Sequence, residues 1–287
     1  MASEAGFHPP GWIGHRQRSY AALPSTGAAV RQPAYAPHGH FCWPELATTD
    51  IASAKAFYGS IFGWEFVDMP SAMGNYTIFK LHGLDVAAAY QMGPQQHTPP
   101  RWNAYVAVKS TDVGAARTVE LGGQIIAGPF DVEGIGRMAL VQDPGGATIA
   151  LWQSIKHFGA GIFGEANTLC WTELMTCDPQ QATAFYTGLF QWEAEAKDSG
   201  GFHYTEWWFN GTAVGGMMNM GGAASDEVPS HWMSYFAVDD CDAKTEAAKA
   251  AGAEVLKPPT DIADVGRFAV IRDLQGAVFC VIKLLKS

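Results

Sequence analysis

The chain has 287 residues, enough for two domains of ordinary size, and its 48% apolar and 12% aromatic residues can fill two real cores. A formal net charge of −10 with no Lys/Arg run argues against nucleic acid or anionic lipid as partners. No apolar stretch reaches the roughly 18–20 residues of a membrane helix, and five cysteines without a CxxC or a secretory signal point to reduced thiols in the cytoplasm.

Residues 1–40 are rich in Gly, Pro, Ala, Ser and His without an apolar period, and read as a mobile N-terminal tail or packing arm. Arg16, Arg18 and Arg31 hint at an import segment, which Glu4 and the prolines argue against. His8, His15, His38 and His40 read as solvated side chains rather than metal ligands.

A strand over His40 to Leu46 then places Phe41, Trp43 and Glu45 on one face. Thr49 or Asp50 caps a helix with apolar residues at Ile51, Ala54, Phe57, Tyr58 and Ile61, and Gly63 ends it. Three strands follow, Trp64 to Asp68, Tyr76 to Leu81 and Val86 to Met92. From Trp102 the same order repeats in shorter form, closing on the Asp143-Pro144-Gly145-Gly146 turn.

The whole pattern is then written again. Trp43 and Trp171, Glu45 and Glu173, Tyr58 and Tyr186, Tyr76 and Tyr204 keep one offset of 128; from Trp102 and Trp232 onward, including Arg137 and Arg267, it becomes 130. The two extra residues fall in the Gly/Ala/Ser-rich run Gly221 to Ser230, where a loop absorbs them. The chain is a tandem duplication of an α+β unit: four βαβββ modules in tandem, paired into domains at 41–155 and 168–287. The join at 156–167 contains Gly159-Ala160-Gly161-Ile162-Phe163-Gly164, a literal GxGxxG, but it leads into a strand rather than a helix and reads as a flexible linker.

The FY pair near the end of each odd helix, the LFGW-like text after it and the terminal D-P-x-G hairpin resemble the vicinal oxygen chelate superfamily. The text of Trp171 to Leu174, Val214 to Met218 and Gly266 to Phe279 is most similar to its two-domain glyoxalase-like proteins often labelled "hydroxylase". The resemblance implies two glyoxalase-like domains, each with a cupped mixed β-sheet, and in metal-using members a divalent ion such as Fe, Mn, Ni or Zn held by His, Glu or Gln on four strands. On this chain those positions fall at Trp43, Ala88 or Tyr90, Asn103 and Ala150, and at Trp171, Gly216 or Met218, Met233 and Cys280. None is His, Asp or Glu, so no metal or other cofactor is expected.

What remains is Glu45 in one cup and Glu173 in the other, each two residues beyond the lost ligand and on the same face. A desolvated carboxyl there is a candidate general acid or base; a purely structural hydrogen-bonding role is an equal alternative. Trp43, Tyr90, Asn103, Tyr105 and Trp152 are expected to line the first cup, and Trp171, Met218, Met233 and Tyr235 the second. Arg137 and Arg267 are candidates for binding a substrate anion, with surface pairing to nearby acids as the alternative, and His231 is a lone imidazole near a rim. The reading is a metal-independent pocket protein for an apolar or aromatic metabolite, with proton transfer through Glu45 or Glu173. A metal-dependent lyase, isomerase or dioxygenase of the same superfamily is the alternative. Whether the halves pair within one chain or between two, as a homodimer, is left open.

Overall fold

The structure, a computed structural model, describes residues 38–71, 74–96, 98–132, 134–199, 202–221 and 228–285. The expected N-terminal tail, with His8 and His15, lies outside the described residues apart from its last positions.

Strand β1 (Phe41–Thr48) leads into helix α1 (Ile51–Phe62). The Asp50 side chain accepts the Ser53 amide, and Gly63, at φ 69°, turns the chain out of the helix in the left-handed region a Cβ disfavours. Strands β2 (Glu65–Ser71), β3 (Gly74–Leu81) and β4 (Leu84–Gln91) form a meander whose last member returns to lie parallel to β1. Strand β5 (Arg101–Ala107), helix α2 (Thr111–Glu120) and strands β6 (Gln124–Val132), β7 (Gly136–Gln142) and β8 (Thr148–Ser154) repeat the module. Antiparallel pairing of β1 with β5 fuses the two modules into one mixed sheet of order β2-β3-β4-β1-β5-β8-β7-β6.

The second half rebuilds this sheet from β9 (Leu169–Thr176), α3 (Pro179–Phe190), β10 (Glu193–Ser199), β11 (Phe202–Phe209) and β12 (Thr212–Asn219), then β13 (His231–Ala237), α4 (Cys241–Ala250), β14 (Glu254–Ile262), β15 (Gly266–Arg272) and β16 (Val278–Leu284). Its order, β10-β11-β12-β9-β13-β16-β15-β14, matches the first strand for strand. The α+β tandem architecture is therefore the one the repeat predicts.

The helices decide how the halves meet. Helix α1 turns Phe57, Tyr58, Ile61 and Phe62 toward Phe236, Ala248, Ile271 and Phe279 of the second half. Helix α3 packs Phe185, Tyr186 and Phe190 with Val106, Ala115, Val141 and Ile149 of the first. Each apolar core thus straddles the duplication, joining the first module to the fourth and the second to the third.

A polar contact fastens each core. The Tyr58 hydroxyl donates to Asp273 Oδ2 (2.9 Å) and accepts from Trp102 Nε1 (3.1 Å). Tyr186 does the same with Asp143 (2.8 Å) and Trp232 (2.9 Å). The other oxygen of each aspartate accepts amides of its own hairpin turn, Ala147 in one and Gln275, Gly276 and Ala277 in the other. The FY pair and the D-x-x-G turn, separate marks in the sequence, are two sides of one contact. With the helices and cores on one face of each sheet, the opposite face is the cup.

Candidate functional site

Strand alternation puts Trp43 and Glu45 on the cup face of β1. Cross-strand register then sets two rows over that face: Val67, Ile78, Ala88, Glu45 and Asn103 in one, and Met69, Tyr76, Tyr90, Ala47 and Arg101 in the next. Glu45 is 7% exposed, so its carboxyl must find partners inside the protein. Tyr105 donates to Oε1 and Tyr76 to Oε2, each at 2.8 Å. Tyr76 in turn accepts from Trp43 Nε1 (3.2 Å). Asn103 is the third partner, and its carbonyl oxygen accepts from Arg101 Nε (3.0 Å), which leaves its amide nitrogen to donate to Glu45. Burial raises the pKa of Glu45 above the usual carboxylate range; the Tyr105, Tyr76 and Asn103 hydrogen bonds and the Arg101 charge pull the other way without reversing it.

The wall of this cup is closed by the segment that reads as a flexible linker. Ala160 N donates to the Cys42 carbonyl (2.8 Å) and Gly161 N to that of Asp85 (2.7 Å). Gly159, at φ 103°, passes so close to β1 that a Cβ would lie 2.1 Å from the Cys42 carbonyl oxygen. The glycines that suggest flexibility therefore permit a close approach instead. The segment brings the His157 ring edge-on to Trp43 at 4.6 Å and near Trp152 at 5.9 Å, while Trp152 Nε1 donates to the His157 carbonyl (2.8 Å). Burial lowers the pKa of His157.

In the second cup Glu173, 5% exposed, accepts from Tyr235 (2.8 Å) and is hydrogen-bonded to Tyr204, which accepts from Trp171 Nε1 (3.0 Å). Burial raises its pKa against those two bonds. The surroundings differ. Gly216 replaces Ala88, and a Cβ there would sit 1.8 Å from the Tyr204 oxygen. Met233 and His231 stand where the first cup has Asn103 and Arg101. Glu206, the counterpart of Ile78, is buried one strand beyond Gly216 in the row of Glu173, ion-paired with Lys197 and accepting from Trp208 Nε1 (3.2 Å). The Cys280 sulfur lies 3.0 Å from that of Met233. Trp171, Met218 and Met233 are half-buried, so this lining is the more open one.

The expected lining residues Trp43, Tyr105, Asn103 and Trp152 thus gather in the first cup, with Tyr90 in the next row, its pKa raised first by burial and then by the nearby Glu45 carboxyl. Trp171, Met233 and Tyr235 gather in the second, with Met218 opposite Tyr204 and His231 at the end of that row, its Nδ1 2.8 Å from the Pro229 carbonyl. The two candidate anion-binding arginines are not brought to either glutamate. Arg137 is tied to Asp112 and Asp131, and Arg267 to Asp242 and Asp261, in surface ion pairs. Sequence reasoning missed Tyr76, Tyr204, Arg101, Glu206 and His157. Tyr76 and Tyr204 were visible as a matched pair, and alternation from Tyr204 along its strand points Glu206 inward.

The ligand positions implied by the resemblance do not fit a resident divalent ion. Trp43, Ala88 or Tyr90, Asn103 and Ala150 offer one amide and at most a phenol beside an indole and methyls; Trp171, Gly216 or Met218, Met233 and Cys280 offer thioethers and one buried thiol; and both Glu45 oxygens already accept hydroxyl protons. Among the described residues no three His, Cys, Asp or Glu side chains come together as a cage.

Comparisons with known proteins agree with this architecture. The sequence profile of the Glyoxalase/Bleomycin resistance protein/Dioxygenase superfamily matches residues 168–281, and that of the Bleomycin resistance protein-like N-terminal family matches 40–81. The chain is 42% identical over 246 residues to a Mycobacterium tuberculosis protein named "Putative glyoxylase CFP32", covering 84% of this chain and 93% of that one. It is 34% identical over 257 residues to the Streptomyces peucetius "Anthracycline biosynthesis protein DnrV", covering 84% and 92%. Among solved structures, the Mn(II)-bound glyoxalase from Novosphingobium aromaticivorans superposes with a TM-score of 0.61 at 16% identity, over 87% of this chain and 83% of that one. An extradiol ring-cleaving dioxygenase from B. fuscum also gives 0.61 at 16% identity, over 89% and 75%. At that identity the likeness is one of fold.

Proposed function

Because the chain belongs to the Glyoxalase/Bleomycin resistance protein/Dioxygenase superfamily yet surrounds its buried carboxylates with ring hydroxyls instead of metal ligands, we propose that it is a metal-independent small-molecule protein. On this reading it binds an apolar or aromatic metabolite and moves a proton through Glu45, with Glu173 as the second-cup counterpart. The observation that carries the reading is the Glu45 constellation: a buried carboxyl held by two ring hydroxyls and packed among aromatic side chains, its pKa raised by burial. The relative named for anthracycline biosynthesis agrees with it, since an aromatic-lined cup suits that class of molecule. No helix among the described residues is long and apolar enough to cross a membrane, and the five cysteines are free; a cytoplasmic location is part of the proposal.

The test pairs a ligand screen by native mass spectrometry with Glu45→Gln and Glu173→Gln. We expect a retained aromatic or apolar compound whose binding or turnover falls in Glu45→Gln while the melting temperature holds. Stoichiometric, tightly held Fe, Mn, Ni or Zn in the purified protein would overturn the reading in favour of the metal-dependent alternative.

A further inference from the structure

Deepening this reading, and resting on it, we propose that Arg101 makes the first cup select ligands that carry a carboxylate or comparable oxyanion beside their ring. Arg101 opens β5 at the end of the row that runs through Met69, Tyr76 and Tyr90. Its guanidinium is fixed on one side: Nε donates to Asn103, and Nη1 to Thr98 Oγ1 (2.6 Å) and the Pro99 carbonyl (3.3 Å). Those three partners are neutral. Among the described residues no carboxylate forms an ion pair with it, whereas Arg137 and Arg267 are each saturated by two aspartates. Arg101 reaches Glu45 only through the Asn103 amide, although its charge is felt at both Glu45 and Tyr90.

A half-buried guanidinium held by neutral acceptors, with aromatic and apolar side chains along its row, is an unneutralised fork. In a protein of net charge −10 such a cation stands out against its own surface. Tyr90, two strands along the same row and half-buried, offers a ring face for the ligand, leaving Arg101 to orient the charged end. Glu45 does not neutralise the fork directly: its two oxygens accept the Tyr105 and Tyr76 hydroxyls, and Arg101 Nε is spent on Asn103. The second cup, with His231 and Met233 in place of Arg101 and Asn103, lacks the device. A structural brace for the loop before β5 is the competing role for Arg101, and it makes no prediction about ligand charge.

The experiment uses 2-naphthoate and its neutral isostere 2-naphthamide, titrated against the full-length protein and followed by calorimetry and ligand-observed NMR. We expect naphthoate to bind about tenfold tighter than naphthamide. Arg101→Gln should erase that ratio, so that the two probes bind alike, and Arg101→Lys should keep part of it. Equal binding of the two probes to the wild-type protein, or a ratio that survives in Arg101→Gln, would overturn the assignment and leave the pocket reading standing. If Arg101→Gln fails to fold, the ratio in Arg101→Lys decides: an undiminished preference also refutes the fork. Failure of both probes to bind the wild-type protein at millimolar concentration would instead remove the pocket reading, and this inference with it.

Discussion

The two cups began as copies, and both keep the same central group, a buried glutamate held by a tyrosine from the antiparallel neighbour strand and a second from the meander. Around that group they have gone in opposite directions. The first cup adds polar donors, Asn103 and Arg101, and is closed by His157 and the segment after it. The second adds thioethers and a thiol, together with a second buried carboxylate at Glu206, and stays more open. The core contacts between the halves show no such drift: Tyr58 with Asp273 and Tyr186 with Asp143 differ by only 0.1 Å. The scaffold holds its symmetry because each half relies on the other for its core, whereas each cup lies on the sheet face away from those shared cores and is free to diverge.

The largest effect tests the symmetric part. Tyr58→Phe and Tyr186→Phe each remove a hydrogen bond to a buried carboxyl and the acceptor of a buried indole N–H, at a cost of about 1.5–3 kcal/mol apiece. Urea unfolding should give matching losses. A loss in one variant with none in the other would break the claim that the two core contacts are equivalent.

Next comes Gly216→Ala. The added methyl meets the Tyr204 hydroxyl at 1.8 Å, so the ring must leave Glu173, and overpacking of this kind costs about 1–3 kcal/mol. The first cup already has Ala88 at this position, so the same residue is tolerated there and excluded here. A Gly216→Ala protein as stable as wild type would show that Tyr204 can bond Glu173 from another position.

The smallest effect is the pH dependence of stability. Glu45 and Glu173 both bind their protons more tightly in the folded protein than in the unfolded chain. Their contribution is therefore fully present below the ordinary carboxylate range and is lost as pH rises through the raised folded-state values. Glu→Gln at either site should flatten that decline. Unfolding curves at a series of pH values check this, and an unaltered slope in both variants would mean that neither carboxyl titrates with folding.

Much of this was legible in the residue text alone. A repeat offset that never breaks within a module, the Asp50 and Asp178 caps, the Pro179 start and the alternation of Trp43 with Glu45 are local signals, and they specify strands, helices and facing directions. Tertiary structure decided which distant groups meet. Tyr58 and Asp273 lie 215 positions apart, and only the stacking of two separate sheets makes them partners. Arg137, a candidate anion binder in the sequence, was drawn into surface aspartates, whereas Arg101, unmarked there, was set beside the Asn103 neighbour of the buried glutamate by the pairing of β5 with β1. Periodicity records what a residue does relative to its neighbours in the chain, whereas the chemistry of a cup depends on which strands lie side by side.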